Sequence, residues 1–189
     1  MSGILFGVGV GPGGPELMTI KAIKTINKCD VLVFPGKNKE SSLSYQIAKG
    51  MVADIDDKPS VALSFPMSND PVLLANAHRD AASKIIDILD AKMNVAFLTL
   101  GDPTIFSTFT YVKRIVEEKG YKTELINGIS SFSQAAALLN NELAIEDETI
   151  HIIPMAGGTK STHEGNNSVK QNTQKTLDQI EFLEVLLFL

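Results

Sequence analysis

The stretch GVGVGPGGPEL (residues 7–17) decides the fold. It ends a short apolar run, Ile4–Gly9, passes through a loop of glycines and a proline, and reaches Pro15-Glu16. Pro15 suits a first helical position, where its missing N–H costs nothing, and Glu16 suits the positive end of a helix dipole. A buried strand, a glycine-rich turn and a helix over Pro15–Asn27 are therefore expected. The same alternation continues along the chain. Val31–Phe34 reads as a strand stopped by Pro35-Gly36, Ser42–Gly50 as a short helix and Val61–Phe65 as a third strand. Asp70-Pro71 is a cap followed by an N1 proline, and the helix it starts carries Leu74, Ala77, Ala81, Ile85 and Ile88 on one stripe. Asn94–Leu100 is a fourth strand, followed by a helix that runs to Lys119 and stops at Gly120. Thr123–Ile126, a helix over Ser130–Asn140 and a sixth strand at Thr149–Ile153 complete the pattern. Strands alternating with helices imply an α/β fold with a mostly parallel sheet covered on both faces.

Composition sets the outer bounds. The 189 residues allow one large domain or two small lobes, and the 44% hydrophobic and 21% charged content is that of a globular chain. Seventeen basic against 22 acidic residues, with Arg79 and Arg114 the only arginines, argue against a nucleic-acid partner. The apolar stretches Ile4–Val10 and Val185–Leu189 fall short of the roughly 20 residues that a membrane span needs. The first lysine is Lys21, so no basic leader is expected, and the expected address is the cytoplasm. The single Cys29 is read as a small buried hydrophobe. Between Gly158 and Thr176 only Val169 is apolar, whereas 180–189 is the apolar IEFLEVLLFL. The expected organisation is a lobe over 1–120, the start of a second over 121–157, and a polar linker with an apolar tail over 158–189.

In parallel α/β sheets, ligands sit beyond the carboxyl ends of the strands. That rule selects three loops: Gly9–Pro15, Gly101–Thr104 and Asn127–Ser131. The first formally fits G-x-G-x-x-G. A dinucleotide site would also need an acid at the end of the second strand, but that strand ends Phe34-Pro35-Gly36-Lys37, and Pro12 removes an N–H from the loop. In the second loop Asp102 offers a carboxylate at the mouth of the sheet, or else caps a helix beginning near Thr104. The third brings the hydroxyls of Ser130 and Ser131 to a helix start, where they could hold a polar cofactor or serve as a plain cap.

Taken together, GVGVGPGGPELMTIKA (7–22), FLTLGDPTIFST (97–108) and INGISSFSQAAALLN (126–140) resemble the tetrapyrrole (corrin/porphyrin) methyltransferases, in the family's order and spacing. The segments FPMSND (65–70), GDPTIFSTFTYV (101–112) and DETIHIIP (147–154) are most similar to the branch that methylates C20 of (cobalt-)precorrin-2 in cobalamin synthesis. The resemblance implies a two-lobed α/β homodimer that binds S-adenosylmethionine and releases S-adenosylhomocysteine. Carried over by position, Pro12 lies over the cofactor pocket, the Leu100-Gly101-Asp102 backbone and Ile105 contact the methionine and ribose portion, and Ser130 and Ser131 hold the cofactor from the second lobe. The acceptor would be a small-molecule tetrapyrrole.

Such an acceptor carbon, conjugated to pyrrolic nitrogens, is itself nucleophilic, so no Ser/His/Asp arrangement is expected and no catalytic residue is named. His78, His151 and His163 have no metal-ligand spacing, and no protein-bound metal is expected. Lys37 and Lys39 are candidates to meet the substrate's carboxylates, or are ordinary solvated surface. The resemblance spans about residues 3–157. Beyond Pro154 the chain departs from the family pattern, so an incomplete second lobe is expected. Two other readings accompany it: a weakly active or inactive member acting as a binding module through the apolar tail, and a family methyltransferase with a different acceptor.

Overall fold

A computed structural model describes residues 2–152, and the chain divides into two units between Ile145 and Glu146. In the first unit five strands form one sheet: β1 (Ile4–Gly9), β2 (Val31–Pro35), β3 (Ser60–Leu63), β4 (Val95–Thr99) and β5 (Lys122–Ile126). Their order is β3-β2-β4-β1-β5, and every pairing is parallel. The helices are α1 (Ile20–Lys28), α2 (Leu43–Lys49), α3 (Pro71–Asp90), α4 (Phe109–Glu118) and α5 (Ser131–Leu139).

Burial on both faces explains why β1, β2 and β4 read as unbroken apolar runs, whereas the edge strand β5, KTELI, alternates exposed and half-buried residues. One face packs Phe6, Val8, Leu32, Phe34, Ala96 and Leu98 against Ala22 and Ile26 of α1 and Tyr45, Ile47 and Ala48 of α2. The other packs Leu5, Val33, Val95 and Phe97 against Ala81, Ala82, Ile85 and Leu89 of α3 and Phe109, Val112 and Val116 of α4. The α3 stripe is thus rotated slightly from the expected one, and Leu74, Ala77 and Ile88 are only half-buried. Its cap is as expected, with Asp70 Oδ1 accepting from Val72 N at 2.8 Å and Leu73 N at 3.3 Å. Cys29 is buried as expected, and that burial pushes its thiol pKa up to about 12.

Several expectations are corrected. The helix placed over Pro15–Asn27 is two elements, a 3-10 turn at Pro15–Leu17 and then α1, because Thr19 is extended and caps α1 by accepting from Ala22 N. The helix after β4 starts at Phe109 rather than near Thr104, since Asp102 holds the intervening residues in a turn. After α4 the chain forms β5, the edge strand hydrogen-bonded to β1. Residues 149–152 form no strand; Thr149 Oγ1 instead meets His151 Nε2 at 3.3 Å. The stretch 158–189 and the end of the expected sixth strand lie outside the described residues.

Glycine 7 shows how tightly the sheet is covered. A Cβ at this position would lie 2.2 Å from the Phe109 ring, which is itself fully buried and has no room to retreat. Gly7→Ala should therefore destabilise the fold by about 1–3 kcal/mol through overpacking. Urea denaturation measures this, and pairing it with Phe109→Leu should recover much of the loss.

Candidate functional site

Strands β4, β1 and β5 are neighbours, with β1 in the middle. Their registers set Gly9 beside Thr99 and Val8 beside Ile126, so the three following loops leave the same edge side by side. The chain runs from β1 to β2 to β3 in one direction and from β4 to β5 in the other. The β1 and β4 loops therefore flank the point where the connections diverge, which is where open α/β sheets form a ligand crevice.

The first two loops are fastened to each other through backbone. Val10 N donates to Thr99 O at 3.0 Å, and Gly11 and Gly101 exchange two bonds, at 3.3 and 2.8 Å. Both glycines have positive φ, +81° and +65°, which L-residues adopt only at a cost. A Cβ on Gly9 would lie 2.5 Å from Gly101 O and 2.6 Å from Gly128 N, and one on Gly128 would lie 2.1 Å from Gly101 O. Three glycines from three strands thus meet where no side chain fits. Gly101 differs in facing open space, since a Cβ there would meet only Ile129 O at 3.9 Å.

Asp102 braces this junction. It is buried, at 8% exposure. Oδ1 accepts from the amide of Thr104 at 2.7 Å and from its hydroxyl, and Oδ2 accepts from Asn127 Nδ2 at 3.1 Å and Gly128 N at 3.2 Å. Burial pushes the carboxyl pKa up. The bonds from Thr104, Asn127 and Gly128 outweigh that and hold it below the ordinary carboxylate value. The carboxylate is fully engaged within the protein, so it ties the second loop to the third rather than facing a ligand. Thr19 adds a further tie by donating to Asn127 O at 3.3 Å.

The remaining predicted residues take their places around this brace. Pro12 is half-buried just beyond the Gly11 bridge, Leu100 is exposed beside Gly101, and Ile105 is half-buried in the turn after Asp102. Ser130 is the N-cap of α5 without a capping bond from its side chain, and Ser131 is the first helical residue. Both serines are half-buried. The acid nearest the second strand, Asp30, lies at the opposite end of the sheet, where its Oδ2 accepts from Asn94 N at 2.7 Å. Of the two candidate lysines, Lys39 is committed, donating to Asp56 O at 2.8 Å and lying over the Tyr45 ring, whereas Lys37 is exposed after β2.

Sequence reasoning missed three features. Gly9 and Gly128 stood in the motifs, but a glycine needed for close approach looks the same as a turn glycine. Ser107, buried, pairs with Thr99 Oγ1 at 2.9 Å and accepts from Phe109 N at 3.2 Å, fixing the start of α4 to the end of β4. Phe106 has φ +46°, a conformation that costs an ordinary L-residue roughly 1–2 kcal/mol, and nothing in its identity announces this.

Asp102→Asn keeps an acceptor for Thr104 but turns an amide donor towards Asn127 and Gly128, or the reverse if it flips. It should cost about 1–3 kcal/mol at pH 7, read by urea denaturation. The folded pKa lies below the unfolded value of about 3.9, so the wild-type stabilisation is fully present above about pH 4. It is lost as pH falls through the folded value, and the gap between wild type and Asp102→Asn should close there.

Comparison with known proteins agrees with this architecture. The family model for tetrapyrrole (corrin/porphyrin) methylases matches residues 5–184. The match thus continues through most of the stretch after Pro154, where the sequence shows no recognisable family motif. A Methanocaldococcus jannaschii protein named "Probable cobalt-precorrin-2 C(20)-methyltransferase" is 39% identical over 151 residues, covering 79% of this chain and 63% of that protein. The cobalt-precorrin-2 C(20)-methyltransferase of Salmonella typhimurium is 29% identical over 154 residues, covering 81% and 64%. The chain therefore spans just under two thirds of the length of these relatives. Among solved structures, a cobalt precorrin-4 methyltransferase superposes with a TM-score of 0.58 at 22% identity, covering 79% of this chain and 56% of its own. The uroporphyrin-III C-methyltransferase of Thermus thermophilus gives 0.56 at 22% identity, covering 77% and 56%. At that identity the likeness concerns the fold, and the fold and the family match agree: the chain belongs to the tetrapyrrole (corrin/porphyrin) methylase family.

Proposed function

We propose that this chain is an S-adenosylmethionine-dependent C-methyltransferase acting on C20 of (cobalt-)precorrin-2 in cobalamin synthesis. The observation that carries the reading is the open backbone at Gly101, set at the diverging β1 and β4 loops in a chain 39% identical to a relative named for that reaction.

The residues present suit the cofactor. Gly101 leaves room for close approach, Leu100 and Ile105 offer apolar surface on either side of it, and Ser130 and Ser131 offer hydroxyls at the start of α5. A loop poorly shaped for pyrophosphate is no defect here, because this cofactor carries no phosphate. When bound, S-adenosylmethionine supplies an activated methyl group. The protein's own part is to hold Pro12, the Leu100-Gly101-Asp102 backbone and Ile105 in a fixed arrangement and to exclude water. Positioning of this kind alone lowers barriers by several kcal/mol. Asp102 acts through Asn127 and Gly128 as a positioning residue. Lys37, rather than the committed Lys39, is the cation placed to meet a substrate carboxylate. The reading also carries a homodimeric assembly, a cytoplasmic address and no nucleic-acid or membrane partner.

Calorimetry with S-adenosylhomocysteine tests the cofactor site directly. Binding is expected, with stabilisation of about 2.7 kcal/mol at one hundred times Kd. Replacing Ser130 and Ser131 by Ala should weaken it by about two- to tenfold per lost hydrogen bond. Absence of any binding overturns the reading. Incubation with precorrin-2 and cobalt-precorrin-2, with the new methyl located by NMR, tests the acceptor. A methyl at another carbon would keep the family and replace the substrate.

A further inference from the structure

Phe106 combines two properties that are each unfavourable for a folded chain. Its φ of +46° is a left-handed conformation in a bulky L-residue, and the residue is 63% exposed. The neighbouring aromatics behave differently: Phe97 packs on Phe109 at 5.3 Å and on Phe65 at 6.4 Å, and His78 stacks on Tyr111 at 4.7 Å. None of the ring pairs among the described residues includes Phe106.

The strained conformation is fixed from both sides. Upstream, Thr104 is held by Asp102 through amide and hydroxyl, and Ile105 N donates to Asp102 O at 3.2 Å. Downstream, Ser107 is buried against Thr99 and receives Phe109 N. Anchors on residues 104, 105 and 107 leave the Phe106 backbone little freedom, so its side chain leaves the chain from a set point just after β4. Backbone strain persists where the surroundings over-determine it, and such residues cluster at ligand clamps. Glycine would relieve the strain, so the phenyl ring is retained against the local backbone preference.

We propose that Phe106 is a substrate-positioning residue: a preorganised aromatic platform against which the conjugated face of the tetrapyrrole lies. This rests on the methyl-transfer reading above for the identity of the ligand. The chemistry fits the ligand class, because a macrocycle of pyrrolic rings presents a broad π-face with its carboxylates at the periphery. With the backbone already fixed, only the two χ angles of the ring remain to be ordered when it stacks, so little freedom is lost. The residues proposed to meet the cofactor, Gly101 and Ile105, lie earlier in the same loop, and the proposal assigns Phe106 to the acceptor instead.

The test uses the full chain with precorrin-2 and cobalt-precorrin-2, binding being followed by the change in the tetrapyrrole's own absorbance. Phe106→Gly should melt at or above the wild-type temperature, because strain is relieved, and should bind S-adenosylhomocysteine as wild type does. Its tetrapyrrole affinity should fall by about three- to tenfold, the loss expected of one aromatic contact. Phe106→Leu should lose a similar factor, whereas Phe106→Tyr should stay within about twofold of wild type. In turnover the loss should appear in KM for the tetrapyrrole and leave kcat little changed. Unaltered tetrapyrrole binding in Phe106→Gly, or a Tyr variant as weak as Leu, overturns the proposal, as does a wild-type chain that binds neither tetrapyrrole. A wild-type chain that binds but transfers no methyl would overturn the methyl-transfer reading, and the binding comparison would still decide the role of Phe106.

Discussion

The organisation of this protein depends on one steric constraint, the approach of Gly9, Gly101 and Gly128 to within a distance that no Cβ tolerates. Parallel strands lie under 5 Å apart, and loops leaving three adjacent strands at one edge would ordinarily splay to make room for their side chains. Here the middle strand ends in a glycine, and the loops on either side place glycines against it. The polypeptide can then close over the end of β1, and Gly11 can bond in both directions to Gly101. The consequences run outward from that contact. The β1 and β4 loops are held together at the diverging connections of the sheet, Gly101 is left facing open space, and α5 begins immediately beyond Gly128.

Asp102 makes that arrangement rigid rather than merely possible. A carboxylate at the mouth of a sheet invites an acid–base role, and its position after Gly101 makes this reading natural. Its four hydrogen bonds assign it differently. Two serve its own loop and two reach the third loop, and the resulting depression of its pKa marks an acceptor already satisfied by the protein. An anion in this state is worth more as a brace than as a base. Neither arginine, Arg79 or Arg114, lies within the three loops, and backbone and hydroxyl groups line them.

The fold was largely legible in the sequence because the signals were local. Buried parallel strands are continuous apolar runs, and Asp70-Pro71 and Ser42 mark helix starts through bonds to amides two or three residues away. Boundaries slipped at two side chains that also bond across to the third loop. Thr19 broke the first helix, and Asp102 delayed α4, each by holding a turn that local propensity would have absorbed into helix. The edge position of β5 was hidden because its pairing with β1 joins residues more than a hundred positions apart. Within the site, residue types were legible and roles were not. Glycine gives no sign of whether it serves dihedral freedom, as at Gly11, or close approach, as at Gly128.

The second loop therefore contains two opposite solutions to the same backbone problem within six residues. At Gly101 a positive φ is met by the residue that adopts it freely, and the position is left bare. At Phe106 a positive φ is imposed on a residue that resists it, and the position carries a large exposed ring. If the loop were shaped only for folding, both positions would favour glycine. The difference between them separates a surface meant to be approached by backbone from one meant to be met by a side chain. Under the proposed methyl transfer, in which both partners bring their own reactivity, the protein's task would be to set where each ligand rests, and at what angle to the other. The anchors at Asp102 and Ser107 bear the cost of holding the second position, and that cost is consistent with preorganisation rather than with a loop that takes shape only when its ligands arrive.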